Sequence, residues 1–166
     1  MPLSEIPVSP SRVRRVARQR YAAGDWFAVP LGERAVAVAR IARHHRGIVY
    51  AYVFGPPRAE VPALAEVEHH RPGDAATHIL VSHLALRDGA WPVIGRGGTF
   101  DPAEWPVVEL ERRVDDRLYA VRWDEETLSK EVESRPLDPS EAGRRPPDGL
   151  LGTRAAEVTL RQLFRL

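Results

Sequence analysis

Between residues 26 and 54 the chain carries three apolar runs, Trp26–Leu31, Arg34–Ala42 and Gly47–Phe54, separated by Gly-containing breaks. Their β-branched and aromatic content predicts three consecutive strands. In the third run, alternation places Ile48, Tyr50, Tyr52 and Phe54 on one face and Val49, Ala51 and Val53 on the other. Both faces are apolar, so this strand belongs at the centre of a sheet covered on both sides. One face is bulky and the other small, as when a barrel interior lies on one side and a helix or loop on the other. Gly55-Pro56-Pro57 ends the run.

Further along, Ala63–Val67 reads as helical turn or loop, and Arg71-Pro72-Gly73-Asp74 as a loop. His78–Leu86 predicts a fourth strand, Arg87–Trp91 its turn, and Trp91–Ile94 a short fifth strand. Val107–Arg113 and Arg117–Trp123 form a second hairpin around Val114-Asp115-Asp116, with an edge strand at Leu128–Glu133 whose charges blunt it. Residues 135–149 are loop. Thr153 caps a helix through 165 with a stripe of Ala156, Leu160, Leu163 and Phe164. A strand at Glu157–Gln162 competes, because polar and apolar residues alternate there too. At the other end, Pro2, Pro7 and Pro10 mark a flexible leader, and Ser11 opens a short basic helix through about Arg20. The expected fold class is α+β: a mostly antiparallel, strongly bent β-sheet or partly open barrel with a short N-terminal helix and a C-terminal helix. Residues 1–20 form the leader and helix, and 21–166 a single α+β domain.

The 166 residues include no cysteine, which removes disulfides, thiolate nucleophiles and Cys-based metal or iron–sulfur sites. That fits a reducing cytoplasm. No apolar run approaches a membrane span, and the N-terminus lacks the apolar core of a signal peptide. The net charge of +1 is unevenly spread. Residues 1–58 hold ten arginines against Glu5, Asp25 and Glu33, whereas the remainder holds 14 basic and 20 acidic residues. Such asymmetry marks either a partner surface or two folded halves whose charges offset each other.

Catalytic chemistry finds little support. "IGRGGTF" (94–100) is Gly-rich after a strand, but the following "DPAEWP" opposes the helix a phosphate cradle needs. It reads as a tight turn. His44-His45 and His69-His70 are adjacent pairs in loops, and His78 and His83 fall on opposite faces of one predicted strand, so sequence spacing assembles no metal site. No Gly-x-Ser-x-Gly elbow occurs, and Ser82 beside His83 points away from it. No catalytic residue, metal or cofactor is assigned.

Two charged stretches remain as binding candidates. Residues 101–126 carry nine acidic side chains against four arginines. Trp105, Glu104, Glu109, Glu111, Asp115, Asp116 and Asp124 are the candidate contacts for a basic protein partner, with Trp105 as either an exposed anchor or a core residue. The alternative is a nucleic-acid surface made by Arg12, Arg14, Arg15, Arg18 and Arg20, with Tyr21 and Trp26 nearby.

Taken in order, "GDWFAVPLGERAVAVARI" (24–41), "LALRDGAWPVIG" (84–95), "EWPV" (104–107) and "DGLLGTRAAEVTL" (148–160) resemble blocks of the immunity protein 26 family. The likeness spans roughly residues 20–164. It implies an α+β fold and a protein that protects bacteria from toxins of polymorphic or contact-dependent systems, and it carries over no catalytic residue. The implied function is binding and neutralising a cognate toxin domain by occlusion in the cytoplasm, with no enzyme activity, small-molecule substrate or membrane. A small β-barrel nucleic-acid binder using the arginine arm is the alternative. In either reading Gly24-Asp25 is a strand entry: the glycine permits a bend and the carboxylate bonds nearby backbone donors.

Overall fold

A computed structural model describes residues 17–166. The three leading runs become β1 (Trp26–Gly32), β2 (Ala35–His45) and β3 (Ile48–Arg58). Next come β4 (Thr77–Ser82), a one-turn helix α1 (Leu84–Arg87) and β5 (Val93–Gly95). The remainder is β6 (Leu110–Val114), β7 (Arg117–Trp123), β8 (Glu131–Pro136), β9 (Leu150–Leu151) and helix α2 (Thr153–Leu163). Six strands form one sheet in the order β5-β1-β2-β3-β4-β9, and β6-β7-β8 form a second. Pairing is antiparallel except at β4–β9.

The central place of β3 follows from its two apolar faces. Val49, Ala51 and Val53 join Phe27, Ala39 and Ile41 in one cluster, closed by Ala156 and Leu160 of α2. Small residues here let the helix approach the sheet. Trp91 stacks on Phe27 and donates its indole N–H to Glu157 of α2 at 3.0 Å, fixing the helix orientation. The opposite face is aromatic: Trp26, Tyr50, Tyr52 and Phe54 pack with Val67, Trp105, Val107 and Leu128. Loops supply that cover, because the bulky side chains hold any element farther from the backbone. Their polar ends then anchor it: Tyr52 donates its hydroxyl to the Pro106 carbonyl at 2.5 Å, and the Val108 amide donates to the Tyr50 hydroxyl at 3.1 Å. The β2–β3 turn is Arg46-Gly47, both at positive φ (45° and 84°), the twist a two-residue hairpin requires.

Several expectations change. The sheets are open, not a barrel, because short strands β5 and β9 end the large sheet on either side. The fourth strand stops at Ser82; Leu84–Arg87 turn into α1 and bury Ala85 and Leu86. The predicted N-terminal helix is not seen: residues 17–20 are non-helical, and Ser11 to Val16 lie outside the described residues. On α2, Leu163 is 45% exposed, so the buried stripe is narrower than expected, and Gly152, not Thr153, is the N-cap. The rival strand at Glu157–Gln162 is helix, and the segment 64–66 is one 3-10 turn.

Candidate interaction surface

Register across the large sheet builds one transverse row. Trp26 lies opposite Arg40, Arg40 opposite Tyr52, and Tyr52 opposite His78. All four side chains project to the aromatic face. Trp105, from the loop after the 3-10 turn Pro102–Glu104, covers the row, edge-on to Trp26 at 6.3 Å and to Tyr52 at 5.0 Å. It is 2% exposed. The expectation of an exposed Trp105 anchor is therefore corrected: the indole is core, drawn in by the aromatic floor beneath it.

Arg40 is 4% exposed. Its guanidinium lies 4.6 to 5.1 Å from the ring centres of Trp105, Trp26 and Phe100. It donates to the carbonyls of Gly24 (3.1 Å) and Gly97 (3.2 Å). Burial lowers its pKa, with the Arg71 charge adding to the effect. The Gly-rich stretch 95–98 thus delivers a carbonyl to a buried cation, and Gly95 and Gly98 take positive φ. A Cβ at Gly97 would lie 2.7 Å from Glu68, so this backbone is packed close, as glycine allows.

The acidic stretch is dispersed. Glu109 accepts from Arg135 and Arg145, and those bonds hold its carboxyl below the usual range. Glu111 accepts from the Gly143 amide at 2.8 Å. Asp124 accepts from the amides of Thr127, Ser129 and Lys130, which lowers its pKa and makes it a turn organiser. Glu125 pairs with Arg43. Glu104, Asp115 and Asp116 are exposed, the last two at the tip of the β6–β7 hairpin, and no ion pair among the described residues holds them. Of the seven candidates, three remain on an open surface, in two places.

Arg12, Arg14 and Arg15 lie outside the described residues. Arg18 and Arg20 are exposed on an extended strap. Gln19 fastens that strap: its side chain donates to the carbonyls of Leu86 and Trp91, both at 2.8 Å, and accepts from the Val93 amide. Beside it, the Tyr21 hydroxyl lies 2.5 Å from His83 Nδ1 and 3.4 Å from His44 Nε2. Burial lowers the His44 pKa, with the His83 and His45 charges adding to it. Sequence spacing missed this meeting, since His44 is the penultimate residue of β2 and His83 follows β4. The β3 neighbours in between bring them together. Among the described residues, no three His, Asp or Glu side chains are grouped to hold a metal, and no helix is long and apolar enough to cross a membrane.

Asp25 does what strand entry requires: its carboxylate accepts from the Ala22 amide at 2.8 Å and pairs with Arg96. Gly24 has φ of 95°, and Arg40 bonds its carbonyl. The opening block of the sequence is thus the scaffold's entry point. No curated protein and no solved structure matched the chain. The Immunity protein 26 family matches residues 22–116, which holds β1 through β6 and both Arg40 and Trp105. That match covers more than half of the chain, and the chain belongs to the Immunity protein 26 family.

Proposed function

We propose that this protein binds a cognate bacterial toxin domain in the cytoplasm and neutralises it by covering its working surface, with no bond-making of its own. The observation that carries the reading is the family match over residues 22–116. The geometry supports it in two ways. A sheet packed on both faces gives a rigid support, which keeps the ordering cost of association low. Exposed charged groups stand on the loop that covers it and on the second sheet: Glu104 on that loop, and Asp115 and Asp116 on the β6–β7 hairpin tip. In this reading they meet cationic groups of the toxin and steer its capture, an effect that salt weakens.

The test is co-expression with toxin domains encoded beside the gene. Restored growth and a co-purifying complex are expected. Failure to restore growth or to bind any encoded neighbour overturns the reading.

A further inference from the structure

A groove of about 720 Å³ opens beside the tip of the β6–β7 hairpin, where the segment after β8 folds back along it. Its floor is apolar. Leu118 and Leu137, each 8% exposed, form with Ala120 a small cluster separate from the two main cores. Pro136, Pro139 and Ala142 extend the apolar lining. The rim carries Arg113 and Arg117, both exposed, with Asp116 as its one carboxylate.

The charge of that rim is set apart from its surroundings. Arg112 pairs with Glu131 and Asp148, Arg122 with Glu133, and Arg135 and Arg145 with Glu109. The small sheet thus engages these four arginines internally, while Arg113 and Arg117 form no ion pair among the described residues. Guanidinium groups flanking an apolar floor suit a carboxylate-bearing segment with a bulky apolar side chain. The rim residues are exposed, so the groove covers one side of an occupant. A small-molecule pocket, in contrast, encloses most of its ligand. The floor residues also lie beyond the family-matched span, which ends at Asp116.

We propose that this groove docks an acidic loop of a partner protein, seating one large apolar side chain on Leu118 and Leu137 and pairing carboxylates with Arg113 and Arg117. The identity of the partner as a toxin rests on the function proposed above; the chemistry of the groove does not.

The test titrates full-length, isotopically labelled protein with the capped peptide Asp-Glu-Phe-Glu-Asp, its alanine-centred form, and Lys-Arg-Phe-Arg-Lys. The acidic Phe peptide is expected to shift amides in 113–119 and 137–142. Binding should weaken about tenfold with alanine at the centre, and about tenfold or more in the double variant R113E/R117E at unchanged melting temperature. The basic peptide should leave these amides in place. Equal shifts with both charge types, shifts elsewhere, no shifts, or unaltered binding by the double variant each overturn the proposal. Co-expression separates the two readings. If the wild type protects against its neighbouring toxin and R113E/R117E protects equally, the groove is not the contact and the immunity reading stands. If the wild type fails to protect, the immunity reading falls, and the peptide titration still decides the groove.

Discussion

Arg40 and Trp105 face each other across the aromatic side of the large sheet, guanidinium over indole at 4.6 Å. One comes from the middle of β2 and the other from a loop 65 positions later, so the contact ties the covering loop to the sheet. The same guanidinium reaches the Gly24 and Gly97 carbonyls. Arg40→Ala leaves both carbonyls unpaired and opens a void beneath three rings. It is expected to lower unfolding free energy by about 3 kcal/mol, measured by urea denaturation. A loss below about 0.5 kcal/mol, the range of ordinary surface substitutions, would contradict this account.

Trp105 acts from the core, which sets it apart from the acidic residues around it. Trp105→Ala is expected to cost about 3–5 kcal/mol. Glu104→Lys and Asp115→Lys change exposed groups and are expected to stay within about 0.5 kcal/mol. Thermal melts of the three variants check this. Any loss of protection by Trp105→Ala should then track folded abundance, while loss by the lysine variants should track affinity.

His78 supplies a pH dependence. Its ring stacks on Tyr50 (5.9 Å) and meets Tyr52 edge-on (4.2 Å), and neither ring nitrogen has a hydrogen-bond partner among the described residues. Burial pushes its pKa down to about 4. The folded value lies below the unfolded one of about 6.5, so the unfolded chain takes up the proton first. Stability is therefore full above about pH 6.5 and falls as pH drops toward 4, by up to about 3 kcal/mol from this group. His78→Phe keeps the stacking and removes the titration. Urea midpoints at pH 7 and pH 4.5 should differ less in the variant than in the wild type. Equal differences would sink the assignment.

Gly24 is held by two constraints. Its φ is 95°, and a Cβ there would lie 2.9 Å from Phe100. Gly24→Ala is expected to cost about 2 kcal/mol or more. Adding Phe100→Ala removes the ring carbons of that contact but keeps the Phe100 Cβ, also 2.9 Å away, so it relieves part of the steric cost and leaves the dihedral part. The double-variant cycle should therefore show coupling of about 0.5 kcal/mol or more, read from denaturation midpoints. Strict additivity would mean that the Phe100 ring contributes nothing to the cost.

The chain's own pattern determined the framework. Period-two alternation is local, and it was enough to place Tyr50, Tyr52 and Phe54 opposite Val49, Ala51 and Val53, to put β3 in the middle, and to mark the β6–β7 hairpin by its Asp115-Asp116 turn. A lone arginine in "AVAVARIA" was the visible sign of the Arg40 cage, but its ring partners come from residues 26, 100 and 105. Only the tertiary structure could decide which charges stay open. An acidic run reads the same whether its carboxylates face water or arginines, and the partners of Glu109, Arg135 and Arg145, sit 26 and 36 positions away. Likewise, His44 and His83 meet through strand pairing and Trp105 is buried by a floor built from other strands. Local periodicity sets which way a side chain points; what it then meets depends on long-range packing, and that is where exposed charges were separated from paired ones.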